Sequence, residues 1–190
     1  MSGRILSLCA VLGALMLSAT PSADASRLIP RTLPELTAGS DLIFVGRCEA
    51  ATPHWNADRS LILTGYRFRV LRALKGSPGA TITLDELGGM VNGVGMNVSG
   101  VPRYSAGEEV LIFVHRTELG RWETFGALQG KFRVERDAQG RPWVQSDYYP
   151  AELASMRPAD RPGTGAPLDA VAARLRNIAA SQPRRLETTR

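Results

Sequence analysis

The run Val110-Leu111-Ile112-Phe113-Val114 constrains the fold more than any other stretch of this chain. Its five consecutive residues are apolar, so neither face of a strand built from them tolerates water. Such a strand is central and fully buried. Other segments show the pattern of half-buried strands instead. Tyr66, Phe68 and Val70 alternate with Arg67 and Arg69, the period of two that puts successive side chains on opposite faces. The adjacent Val70-Leu71 breaks that alternation and predicts a bulge.

Around these two anchors the sequence predicts strands over Asp41–Glu49, Leu61–Leu74, Thr81–Leu87, Glu109–His115, Trp122–Ala127, Lys131–Glu135 and Trp143–Ser146. A further strand is expected where Val94, Met96 and Val98 alternate with Gly95 and Asn97. Turn residues separate them: Lys75-Gly76-Ser77-Pro78-Gly79 and Asp137-Ala138-Gln139-Gly140. Ala50–Arg59, with Pro53, Asn56 and Asp58, reads as a loop, and so does most of the glycine-rich Gly88–Gly107. Strands at this spacing, without long helices between them, predict an all-β fold: an antiparallel, OB-like β-barrel of about seven or eight strands.

Helices are minor in this reading. Thr32–Ala38 has a Thr N-cap, Pro34 in its first turn and Gly39 at its stop. Leu168–Ala180 is amphipathic, with Leu168, Val171, Leu175 and Ile178 on one face, and is expected to dock on the barrel. The resulting layout is a barrel domain over 26–150, a Pro/Gly-rich linker over 151–167, a helix over 168–180 and a disordered tail over 181–190.

The first 25 residues read as a cleavable export signal. Arg4 supplies the basic start, Ile5–Leu17 the apolar core, and Ala23-Asp24-Ala25 a small-residue cleavage site that leaves Ser26 as the new N-terminus. The apolar run falls short of the roughly 20 residues a spanning helix needs. The mature chain is therefore expected to be exported, periplasmic or secreted, with no transmembrane segment. Cleavage removes Cys9 and leaves Cys48 without an intramolecular partner. Cys48 alternates with Phe44 and Gly46, which marks it as either a reactive thiol or a small buried hydrophobe, the latter reading being preferred.

The formal net charge is +5, and the bases are nearly all arginine, Lys75 and Lys131 being the only lysines. No dense basic run with interleaved aromatics occurs, so nucleic acid is not an expected partner. Metal and cofactor signatures are missing as well. The histidines His54 and His115 belong to no ligand motif, and three residues after Gly95 stands Val98 rather than the glycine a dinucleotide loop needs. The carboxylate pairs Asp85-Glu86 and Glu108-Glu109 sit on successive positions, whose side chains point to opposite faces. They read as solvated edge or turn residues. No catalytic, cofactor or metal residue is assigned.

Three stretches carry a resemblance. They are Asp41-Leu42-Ile43-Phe44-Val45-Gly46-Arg47, Tyr66 to Gly76 with its Lys-Gly turn, and Gly107 to Val114. In this order they resemble a widespread class of exported bacterial domains and, more distantly, netrin-like modules such as the tissue inhibitors of metalloproteinases. The resemblance implies an OB-type barrel. It transfers no inhibitory residue, because those inhibitors use an N-terminal cysteine where this chain has Ser26. The expected function is an exported, non-catalytic binding or structural module that contacts a protein or envelope component through Ala50–Arg59 and Gly88–Gly107. The alternatives are a protease inhibitor or protease-associated domain, and an enzyme built on Cys48 and a histidine.

Overall fold

The computed structural model describes residues 29–148, 156–158, 160–161 and 165–181. The stretch read as an export signal with Ala23, Ala25 and Ser26, much of the 151–167 stretch expected as linker and residues 182–190 lie outside the described residues. In chain order the elements are α1 (Leu33–Gly39), β1 (Leu42–Trp55), β2 (Ile62–Lys75), β3 (Thr81–Leu87), β4 (Gly89–Val91), β5 (Val94–Met96), β6 (Glu109–Arg116) and β7 (Trp122–Thr124). A 3₁₀ turn (Ala127–Gly130) follows, then β8 (Lys131–Arg136), β9 (Pro142–Gln145), β10 (Ala166–Pro167) and α2 (Leu168–Ser181).

Strand β6 sits in the middle, as its all-apolar run requires. The main sheet runs β10-β9-β8-β6-β1-β2-β3, with β7 also paired to β6, and its pairings are antiparallel. Leu111 and Phe113 of β6 belong to one apolar cluster, while Val110, Ile112 and Val114 belong to another on the opposite face. Leu33 and Leu36 of α1 and Leu168, Val171, Ala172 and Leu175 of α2 cover the first face. Tyr104, from the segment between β5 and β6, packs edge-on against Tyr66 and Phe68 of the second.

The expected barrel is not formed. Among the described residues β3 has β2 as its only ladder neighbour, and β10 has only β9, so the sheet keeps two open edges. The layer that completes the core on one side is helical rather than a returning strand. Where β3 comes close to β7, a side chain bridges them instead of a backbone ladder. The sheet therefore lacks the closure of an OB or netrin-like barrel.

Local chemistry explains the elements. Thr32 caps α1: its hydroxyl accepts from the Glu35 N–H, and the Glu35 carboxylate accepts from the Thr32 N–H in return. At the other end the Lys75 ammonium donates to the Thr37 and Ser40 carbonyls, which the helix terminus leaves without intrahelical partners. Gly76 lets the chain turn there: its φ is +69°, and a Cβ would stand 2.7 Å from the Asp41 carbonyl oxygen. The bulge expected at Val70-Leu71 is present, since Val45 pairs with Arg72 and Gly46 with Val70, leaving Leu71 unmatched.

Two loop expectations need correction. Ala50–Trp55 continues β1 instead of looping, because Pro53 lies where β1 has β2 on one side only and an edge tolerates proline's missing N–H. Within Gly88–Gly107 a hairpin forms: β4 and β5 join through Asn92-Gly93, both with positive φ, the pairing that two-residue hairpin turns demand. The tail helix ends at Ser181, and the stretch expected as linker contributes β10, which pairs with β9.

Candidate functional site

Register across β1, β2 and β3 builds a small grid on the side of the sheet that carries the helices, beyond the area they cover. One row is Ala50–Arg67–Thr83, the next is Thr52–Gly65–Asp85, and the third begins with His54 opposite Leu63. Gly65 leaves the central position of this grid without a side chain. The result is a shallow trough of about 340 Å³ lined by Ala50, Thr52, His54, Gly65, Arg67, Thr83 and Asp85. A Cβ on Gly65 would stand 3.3 Å from Asp85 Oδ1, 3.5 Å from the Thr83 methyl and 3.7 Å from His54 Cε1. A glycine inside a long strand costs stability. Here it keeps a gap one side chain deep between a carboxylate and an imidazole.

The polar groups around that gap differ in what they already hold. Arg67 is paired with Glu49 at 3.4 Å, and Glu49 also meets Arg69 at 3.6 Å. His54 Nδ1 lies 3.2 Å from the Thr52 carbonyl oxygen. A carbonyl only accepts, so Nδ1 donates and Nε2 is the ring's open nitrogen. Asp85 is half-buried, with no basic side chain paired to it among the described residues. The trough thus offers an acceptor carboxylate, an imidazole nitrogen and two threonine side chains at its floor and rim.

On the other face of β3 lies a second polar group, Glu86. It continues the buried positions Ile82 and Leu84 and is 5% exposed. Its carboxylate accepts from the Thr124 N–H at 2.8 Å and from the Thr124 hydroxyl at 2.5 Å. With that hydroxyl proton committed to Glu86, the Tyr104 hydroxyl, 2.6 Å away, is the donor to Thr124 Oγ1. Burial pushes the Glu86 carboxyl up to about 7, against the lowering effect of the two Thr124 hydrogen bonds. Burial also raises the Tyr104 hydroxyl well above its ordinary value.

Cys48 is 1% exposed, within the apolar cluster of Phe44, Phe68 and Ile112. Burial, the largest influence, raises its thiol above the ordinary range. Its Sγ lies 3.6 Å from the Ala50 carbonyl oxygen. The two histidines do not join it. His54 lines the trough on the opposite side of the sheet. His115 packs its ring against Phe125, centroids 5.4 Å apart. It lies past the Leu42 end of β1, whereas Cys48 follows the Arg47–Glu109 end. At strand rise the separation is roughly 20 Å. Among the described residues no three of His, Cys, Asp and Glu group to hold a metal ion, and no helix is long and apolar enough to cross a membrane.

Sequence reasoning missed both Glu86 and the trough. Reading Asp85-Glu86 as solvated is corrected for Glu86, since period two from Ile82 and Leu84 places it on the apolar face. The trough depends on the partnership of three strands, which no single segment carries. No protein-family model matches the chain, and no curated protein matches it. With the sheet open as well, the resemblance to exported bacterial netrin-like domains is not sustained.

Proposed function

We propose that this chain is an exported, non-catalytic module that binds a protein or another envelope component through the trough over Gly65. The observation that carries this reading is the gap itself. A position that packing would allow a side chain to fill is held empty, and Thr52, His54, Asp85 and Thr83 surround it with hydrogen-bonding groups. A rigid three-stranded floor fixes their geometry in advance, which reduces the ordering cost of binding. The trough takes Ala50, Thr52 and His54 from the same stretch that the sequence marks as a contact surface. Export rests on the reading of residues 1–25. A thiol enzyme is the weaker reading, because Cys48 is buried, its thiol is pushed up and no histidine reaches it.

Site-specific photocrosslinking in the producing cell tests the proposal. A crosslinker at Thr83, on the trough rim, is expected to give a discrete adduct. The same group at the exposed Arg176 of α2 serves as control. Adducts of equal pattern and yield from both positions would contradict the assignment.

A further inference from the structure

Glu86 occupies a position where an apolar residue would simply extend the buried row Ile82, Leu84. Its carboxyl group is the tie between two strands that share no ladder: β3 carries Glu86, and β7 carries Thr124, whose N–H and hydroxyl both reach it. Thr124 in turn accepts from Tyr104, the residue that seats segment 97–108 on the apolar face. One side chain therefore ties β3 to β7 and, through Thr124 and Tyr104, to segment 97–108. Three residues further along the chain begins the β4–β5 hairpin, with Met90 and Val94 exposed.

We propose that Glu86 is a proton-operated latch: while it holds its proton it pins β7 and segment 97–108 to β3, and release of that proton to solvent loosens this corner and the hairpin that springs from it.

The surroundings give the latch its direction. A neutral carboxyl accepts the two Thr124 bonds without the cost of a buried charge. An ionised one must keep that charge where water is excluded. The charged and titratable groups around it offer no compensating cation among the described residues. Asp85, next to it on β3, and Glu123 on β7 both disfavour its ionisation. Glu123 is itself paired with Arg121 at 3.1 Å and lies across the ladder from His115. From β2 comes Tyr66, and from segment 97–108 comes Tyr104. Lys131 lies over the Tyr104 ring, 4.7 Å from its centroid, and is bound to Glu108 at 2.7 Å. Among the described residues no cation pairs with Glu86 directly. Opening the corner hydrates the carboxylate, so the open form gains on the closed one as protons are lost.

Amide hydrogen exchange at Thr124 reads this opening. Divided by the intrinsic chemical rate, exchange of the Thr124 amide is expected to quicken roughly twentyfold between pH 5.5 and 7.5. In Glu86→Gln it is expected to stay flat across the same range. A flat profile in the wild-type chain overturns the latch. So does a slope that persists in Glu86→Gln and disappears in His115→Gln, which would transfer the titration to His115. Should Glu86→Gln fail to fold, the carboxyl carbon shift of Glu86 in the intact wild-type protein decides. A midpoint above 6 supports the latch, and one near 4.5 overturns it.

Discussion

Asp85 and Glu86 are neighbours in β3 and stand on opposite sides of the sheet, one at the edge of the trough and the other buried with its carboxylate on Thr124. A single strand thus contributes to the proposed binding surface with one residue and to the integrity of the fold with the next. The sheet separates the two by little more than its own thickness, and Asp85 is among the charges that disfavour ionisation of Glu86.

Global stability should carry the signature of Glu86. Its carboxyl titrates near 4.5 in a hydrated chain and is pushed up to about 7 in the folded one. Between those values the folded state binds more protons than the unfolded state, so stability falls as pH rises and levels off above about pH 8. The shift corresponds to a loss of about 3 kcal/mol at most. Urea midpoints measured from pH 5 to pH 8 should decline in the wild-type protein, and the decline should be largely removed in Glu86→Gln. Glu35 works in the opposite sense below this window: its hydrogen bonds with Thr32 lower its carboxyl, so its contribution is lost only under acid conditions.

Cys48 should behave as a core residue toward thiol reagents. In the folded protein its labelling by an aromatic disulfide reagent is expected to be slower than in urea by on the order of 100-fold. Labelling at the unfolded rate would place the thiol at the surface and revive the reading of Cys48 as a nucleophile.

Two glycines separate steric from conformational demands. At Gly130 a Cβ would stand 2.0 Å from the Phe125 carbonyl oxygen, so Gly130→Ala forces backbone to move. It is expected to cost about 3 kcal/mol or more. At Gly140 nothing lies within 4 Å of the added atom, and only the φ of +77° objects. Gly140→Ala should cost about 1 kcal/mol. Thermal unfolding of the two variants checks the ranking, and equal costs would contradict it.

Much of the sheet was legible because its signals are local. The run Val110–Val114 announces a strand buried on both faces, and Val70-Leu71 announces the bulge at Leu71. The Thr32 cap is equally local. The hairpin at Asn92-Gly93 was missed, although that dipeptide is a strong two-residue turn signal. The glycine content around it obscured the pairing of Gly89–Val91 with Val94–Met96. Closure was not legible. Whether β3 meets β7 through a ladder or through the Glu86 side chain is decided by non-local packing, and strand count says nothing about it. The trough was hidden for the same reason, because Thr52, Gly65 and Asp85 become a row only when three strands adopt their register.

The most direct measurement is the crosslinking comparison repeated with the gap filled. Gly65→Val adds a β-branched side chain that strands favour at a position whose nearest neighbours are 3.3 to 3.7 Å from the new Cβ. The variant is expected to fold, with its thermal midpoint within a few degrees of wild type. The adduct from the Thr83 crosslinker should then fall at least tenfold while the Arg176 control is unchanged. A folded Gly65→Val protein that still gives the wild-type adduct at full yield would contradict binding through the trough.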